Sequence, residues 1–132
     1  DEDRHHHAVG AAARGIDPSF LTGAVMISGI YDPRPVMRTT VNAEVRLTEE
    51  IAARRDVERR PVLARPPVAL FVGGREPWHW IDQTYRYAHH LHRSGMNPEV
   101  HTLPRWGHFD ILDEFAAADG PMVTATLAMV QR

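Results

Sequence analysis

The stretch Val68-Ala69-Leu70-Phe71-Val72-Gly73-Gly74-Arg75-Glu76 decides how the rest of the chain is read. A short continuous apolar run with a proline-rich approach (Pro61 to Pro67) and a closing glycine pair reads as a strand buried on both faces, of the kind found in parallel sheets. In such sheets, reactive groups collect beyond the carboxyl ends of the strands. Arg75 and Glu76 stand at that place.

Working upstream, Gly23-Ala24-Val25-Met26-Ile27-Ser28-Gly29 is a second run of the same kind. Residues 1–15 read as the end of a helix and its exit at Gly15, and Asp17-Pro18-Ser19 as a turn. Residues 31–42, with Pro33 and Pro35, read as a loop with a brief helix, and Ala43 to Arg55 has helical periodicity. Downstream, Pro77 suits the first turn of a helix. Ile81, Tyr85, Ala88 and His92 share one face of it, Trp80, Thr84, Tyr87 and Leu91 flank that face, and Gly95 fits the residue past its end. Glu99-Val100-His101-Thr102-Leu103 alternates and precedes Pro104, as an edge strand does. Two helical pieces follow, Ile111 to Ala118 and Pro121 to Gln131. Helices alternating with strands predict an α/β fold with a parallel sheet of about three strands flanked by helices.

The charge balance narrows the partners. Fifteen basic and seventeen acidic residues leave a formal net charge of −2, which points to neither nucleic acid nor an anionic membrane as the main partner. No apolar run approaches the ~20 residues of a membrane helix. The chain has no cysteine, hence no disulfide, thiolate metal site or cysteine nucleophile; this fits a cytoplasmic protein without requiring one. The start at Asp1 carries neither methionine nor a hydrophobic signal segment, so the chain is expected to begin inside a longer gene product or after processing.

Three strand ends carry chemistry: Ser28-Gly29-Ile30-Tyr31-Asp32, Gly73-Gly74-Arg75-Glu76, and Pro104-Arg105-Trp106-Gly107-His108-Phe109. An acid and a histidine on successive strand ends, in that order, are what a hydrolytic triad needs. The carboxylate holds the imidazole in one tautomer, and the imidazole takes a proton from the nucleophile.

These segments resemble a known family. Ser28 to Val36 (SGIYDPRPV), Val72 to Glu76 (VGGRE) and Gly107 to Phe115 (GHFDILDEF) are similar to the arylformamidase and carboxylesterase branch of the α/β-hydrolases. The resemblance runs over nearly the whole chain and keeps the spacing. It implies that residues 1–132 are the C-terminal half of an α/β-hydrolase domain, with Glu76 as the acid and His108 as the general base. Asp32, Asp82 and Asp110 compete for the acid's place.

One part of that pattern is absent. The family's nucleophile sits in a G-x-S-x-G elbow at a sharp strand-to-helix turn. The three serines here are flanked at minus two and plus two by Asp17 and Leu21 (Ser19), Met26 and Ile30 (Ser28), and His92 and Met96 (Ser94). None fits, and no H-G-G-like oxyanion segment is present. No nucleophile is therefore expected in this chain.

Other residues have two readings. Tyr31, Trp78, Trp80, Trp106 and Phe109 gather near the strand ends, either as core or as a wall for an acyl or aryl group; Tyr31, Trp78, Trp106 and Phe109 are the candidate substrate contacts. His5-His6-His7, and the set His89, His90 and His92, lack an i, i+4 pair with a carboxylate, so no metal or other cofactor is expected. Arg54-Arg55 through Arg59-Arg60, interleaved with Asp56 and Glu58, read as a charged helix face. The expected function is a serine-hydrolase fragment acting on small ester or amide substrates, formamides of the formylkynurenine type among them. The rival expectation is a non-catalytic, truncated hydrolase-like binding or assembly module. The apolar strand Ala24 to Ser28 has no lysine, proline or inward charge to blunt its edge, so it is expected to meet either a nucleophile-bearing N-terminal half or a second copy.

Overall fold

A computed structural model of the chain describes residue 15 and residues 17–131; the expected helix end over residues 1–14 and the histidines at 5–7 lie outside them. Three parallel strands form one sheet: β1 (Ala24–Ile27), β2 (Val68–Gly73) and β3 (Glu99–Leu103), in that spatial order. The register pairs Met26 with Leu70 and Leu70 with Val100. The fold is α/β, with helices α1 (Asn42–Val45), α2 (Glu49–Arg55), α3 (Trp78–Arg93) and α4 (Pro121–Val130).

β2 is central and every residue of it is buried. Alternation along the strand sends its side chains into two cores. Val68 and Leu70 join Tyr31, Ala88, Leu91 and Met96 on the α3 side. Ala69 and Phe71 join Ile111, Met122, Ala125 and Met129 on the α4 side. A strand facing apolar layers on both sides gains nothing from a polar alternate residue, hence the unbroken run.

β1 reads alike but is buried differently: each of its four residues is only half-buried. Its residues divide between the same two cores. Among the described residues, only β2 pairs with it, so its outer edge is open. β3 forms the other edge, the place its alternation predicts.

α3 ends in a Schellman motif. Gly95 is left-handed (φ +86), its N–H donates to His92 O at 3.0 Å, and Met96 N–H donates to Leu91 O at 3.1 Å. Met96 and Leu91 both enter the core, adding the apolar contact that accompanies the motif. Pro77 occupies the cap itself, with ψ 144, rather than the first turn.

Two helical readings need correction. The helix expected over Ala43 to Arg55 is broken at Arg46, which is left-handed (φ 55). Asn42 stabilises the break by accepting from Leu47 N–H at 2.8 Å, and Thr48 restarts the helix by accepting from Ile51 N–H at 3.3 Å. Residues Ile111–Ala116 form a 3-10 helix rather than an α-helix running to Ala118.

Candidate active site

The Gly73-Gly74 pair builds the site. A Cβ on Gly73 would lie 2.3 Å from Trp106 O, and one on Gly74 would lie 2.7 Å from Pro104 Cα. With no side chains there, the loop after β3 closes over the end of β2. Gly74 N–H donates to Leu103 O at 2.8 Å and Arg75 N–H to Trp106 O at 3.0 Å. The turn completes with Glu76 N–H donating to Gly73 O at 3.1 Å. Glu76 thus projects from the central strand's end toward the loop that carries His108.

Glu76 Oε2 lies 3.1 Å from His108 Nδ1. The Glu76 side chain is fully enclosed, whereas that of His108 is 41% exposed. A carboxylate only accepts, so this contact calls for the tautomer with the proton on Nδ1. Glu76 Oε1 accepts from Gly73 N–H at 2.8 Å and from the Ser28 hydroxyl. Both carboxylate oxygens are therefore occupied, as a buried charge requires. Nδ1 is the imidazole nitrogen engaged in a hydrogen bond among the described residues, which leaves Nε2 for a reacting partner.

The loop has its own fastening. Asp110 Oδ1 accepts from Gly107 N–H at 2.6 Å, and Ile111 N–H donates to Gly107 O at 3.1 Å. Asp110, a competing acid by sequence, is thereby committed to the loop backbone. The other two competitors are held by arginines. Asp32 meets Arg34 at 2.9 Å and Asp82 meets Arg86 at 2.8 Å. Arg34 also binds Asp56 at 2.6 Å and Glu49 at 2.8 Å, and these carboxylates, Asp56 foremost, hold its guanidinium above the usual arginine range.

The aromatic candidates separate into two groups. Tyr31 is 6% exposed and stacks on Tyr87 with centroids 4.2 Å apart; burial first, and then Tyr87, pushes its phenol well above the ordinary range. It lies in the core beneath α3. Trp106 is half-buried against the α4-side core, and its Nε1 donates to Glu114 Oε2 at 2.6 Å. Trp78 and Phe109 are open to solvent, at 79% and 101% exposure. The Phe109 ring stands edge-on to His108 at 5.4 Å. Trp80, which the sequence reading grouped with these aromatics without making it a substrate contact, has its ring 5.1 Å from His108. The two ring planes are tilted by 53°.

Ser28 is the residue the sequence reading passed over, having weighed it only as a nucleophile. The available signal was topological: strands one and two are neighbours, so the residue ending the first stands beside the acid ending the second. A concavity of about 360 Å³ lies at the opposite ends of the strands, lined by Val68, Met96, Glu99 and Met129 among others. None of its lining residues hydrogen-bonds to Glu76 or His108, so the chemistry and not the cavity locates the site. Among the described residues no group of three or more histidines and carboxylates is gathered as a metal would need. No described helix is long and apolar enough to cross a membrane.

Comparison with known proteins bears on the fold. No protein-family model matches the chain. In sequence it is 24% identical over 115 residues to a kynurenine formamidase of Danio rerio and 26% identical over 116 residues to one of Salmo salar, covering 83% of this chain in both. In structure it superposes on a candidate thioesterase from Silicibacter sp. with a TM-score of 0.68 at 20% identity, covering 89% of this chain and 54% of that one. It superposes on an esterase from Mycobacterium marinum with a TM-score of 0.60 at 25% identity, covering 96% of this chain and 45% of that one. The fold and its neighbours are of the α/β-hydrolase type. Within that superfamily the likenesses support the formamidase and esterase branch. The chain spans about two fifths of the length of the curated relatives it matches.

Proposed function

We propose that this chain supplies the acid and the general base of a Ser-His-acid hydrolase, Glu76 and His108, and that the serine comes from further polypeptide. The observation that carries the reading is the 3.1 Å contact between a fully enclosed carboxylate and an imidazole whose Nε2 remains available. Ester and aryl-amide bonds are the substrate class, with aryl formamides favoured by the similarity to kynurenine formamidases. The serine hydroxyl attacks the carbonyl while His108 Nε2 takes its proton; His108 then returns the proton to the leaving alcohol or amine. Glu76 keeps Nδ1–H aimed at Oε2 and stabilises the imidazolium as it forms. Backbone N–H groups beside the serine hold the oxyanion.

The nucleophile-bearing polypeptide joins along the open edge of β1. Ala24 and Ser28 direct their N–H groups at Pro67 O and Phe71 O of the β2 side, so by alternation Val25 and Ile27 point theirs away from it. Val25→Pro removes a donor from that edge without touching the β1–β2 ladder. It is expected to abolish association measured by light scattering while the chain stays folded. A chain that neither self-associates nor binds the nucleophile-bearing polypeptide removes this part of the reading.

The test of function is hydrolysis of a short p-nitrophenyl ester and of an aryl formamide. The chain alone should show no turnover that depends on His108. Together with the nucleophile-bearing polypeptide it should, and Glu76→Gln should then lower kcat by about 10³–10⁴, since the imidazole loses its tautomer. A robust activity of the chain alone that His108→Ala abolishes overturns the account of the serine. A combined protein indifferent to His108→Ala leaves the chain as a non-catalytic assembly module.

A further inference from the structure

The hydroxyl of Ser28 donates to Glu76 Oε1, the carboxylate oxygen that does not face His108. We infer that Ser28 is a positioning residue, which fixes the carboxylate so that its other oxygen meets the histidine; the inference rests on the acid–base reading above.

Three features support it. Ser28 has a left-handed backbone, φ 49, a conformation that disfavours any residue with a Cβ. Glycine adopts it freely and stands next in the chain at Gly29, yet the turn falls on the serine. Gly29 is needed for a different reason, since a Cβ there would meet the Tyr31 ring at 2.5 Å. Second, Ser28 N–H donates to Phe71 O at 2.8 Å, so the backbone carrying the hydroxyl is tied to the strand that leads to Glu76. Third, the Glu76 side chain is fully enclosed, so water does not compete for Oε1 and the donors there decide the carboxylate's rotation. Gly73 N–H alone would hold one oxygen but leave that rotation loose; the serine provides the second point.

The arrangement also assigns the hydroxyl away from nucleophilic duty. The order is serine, carboxylate, histidine, with the acid in the middle, whereas an attacking serine must contact the imidazole itself. The Ser28 hydroxyl donates its hydrogen bond to the carboxylate, and the imidazole bonds the other carboxylate oxygen.

The test is the tautomer of neutral His108, read from ring-nitrogen NMR shifts in the full chain. In the wild type the Nδ1–H form should dominate, and Glu76→Gln should abolish that preference. Ser28→Gly removes the hydroxyl and relieves the left-handed strain, so it should fold normally while the Nδ1–H to Nε2–H ratio falls about fivefold, the weight of one hydrogen bond. Ser28→Ala should give the same fall with a melting temperature below that of Ser28→Gly, because its methyl keeps the strained φ. A wild type without the Nδ1–H preference overturns the acid–base pairing itself. If that preference is present and both folded Ser28 variants retain it, the pairing stands and the role of Ser28 is overturned.

Discussion

β1 and β2 are written in nearly the same language, short apolar runs closed by glycine, yet they occupy different circumstances. Every residue of β2 is buried, whereas every residue of β1 is half-buried. β2 has a strand on each side and an apolar layer on each face, all supplied by the described residues. β1 has the two layers but, among the described residues, only one neighbouring strand. Apolar composition records the environment a strand is suited to; burial records the partners it has. The gap between the two at β1 is the physical ground for expecting another polypeptide there.

Truncation on each strand gives the widest separation. Phe71 is fully buried in the α4-side core, and Phe71→Ala should cost about 3–5 kcal/mol. Met26 packs only partly against the α3-side core, and Met26→Ala should cost about 1 kcal/mol. Urea unfolding of the two variants measures the difference. Equal costs would mean that β1 is as enclosed as β2, and the open edge would lose its significance.

Since strand pairing among the described residues holds β1 on one side alone, its exit needs a further anchor. Gln83, on α3 and 4% exposed, accepts from both Tyr31 N–H and Asp32 N–H through Oε1, each at 2.8 Å. Gln83→Ala strips two backbone donors of their acceptor and should cost about 2 kcal/mol. Amide exchange should rise most at Tyr31 and Asp32. A variant with unchanged exchange at those two residues would show that β1 does not depend on this anchor.

Much of this was legible in the sequence because it is local. Apolar runs, Gly95 at the end of α3 and the alternation of β3 before Pro104 each express a short-range rule. The strand ends bearing Glu76 and His108 followed from the parallel topology, which places both at one end of the sheet. What stayed hidden depends on contacts across the chain. Arg46 breaks its helix because Asn42 offers the backbone a better local partner, and periodicity does not register that competition. Tyr31 belongs to the core because α3 brings Tyr87 above it, 56 residues downstream in sequence. Ser28 bonds Glu76 across 48 residues, a pairing that neither segment announces alone.

Tyr31 sharpens the comparison through pH. Its hydroxyl is enclosed with no hydrogen-bond partner among the described residues, and burial raises its pKa far above the ordinary value of about 10. Below about 10 the phenol is neutral in both states, so ionisation costs the folded chain nothing. As pH rises past about 10, the unfolded chain ionises first and stability falls by up to about 1.4 kcal/mol for each pH unit. Tyr31→Phe should therefore flatten the alkaline limb, and at neutral pH it should raise stability by about 1 kcal/mol by removing an unpaired hydroxyl. Thermal unfolding from pH 7 to pH 11 is the measurement. An unchanged alkaline limb would place the ionisation elsewhere, with Tyr87, also raised by burial, the next to replace.

The smallest expected change in stability falls at Phe109, the aromatic at the exit of β3. Tyr31 and Phe109 both follow strands, but one is 6% exposed and the other 101%. A ring with that much open surface contributes little to folding, so Phe109→Ala should alter stability by no more than about 0.5 kcal/mol. Its position against His108, edge-on at 5.4 Å, argues for a different use. An aryl group whose carbonyl is within reach of Nε2 would lie close to that exposed ring, and burying the two against each other gives contact that water does not. Once the chain is joined to a nucleophile-bearing polypeptide, Phe109→Ala should raise KM for an aryl formamide several-fold while KM for an acetyl ester of a small alcohol stays put. Proportional loss on both substrates, with kcat reduced, would instead mean that Phe109 holds His108 in place. Loss of stability beyond 1 kcal/mol, which core residues show on truncation, would mean that the ring is not the open surface it is in this chain.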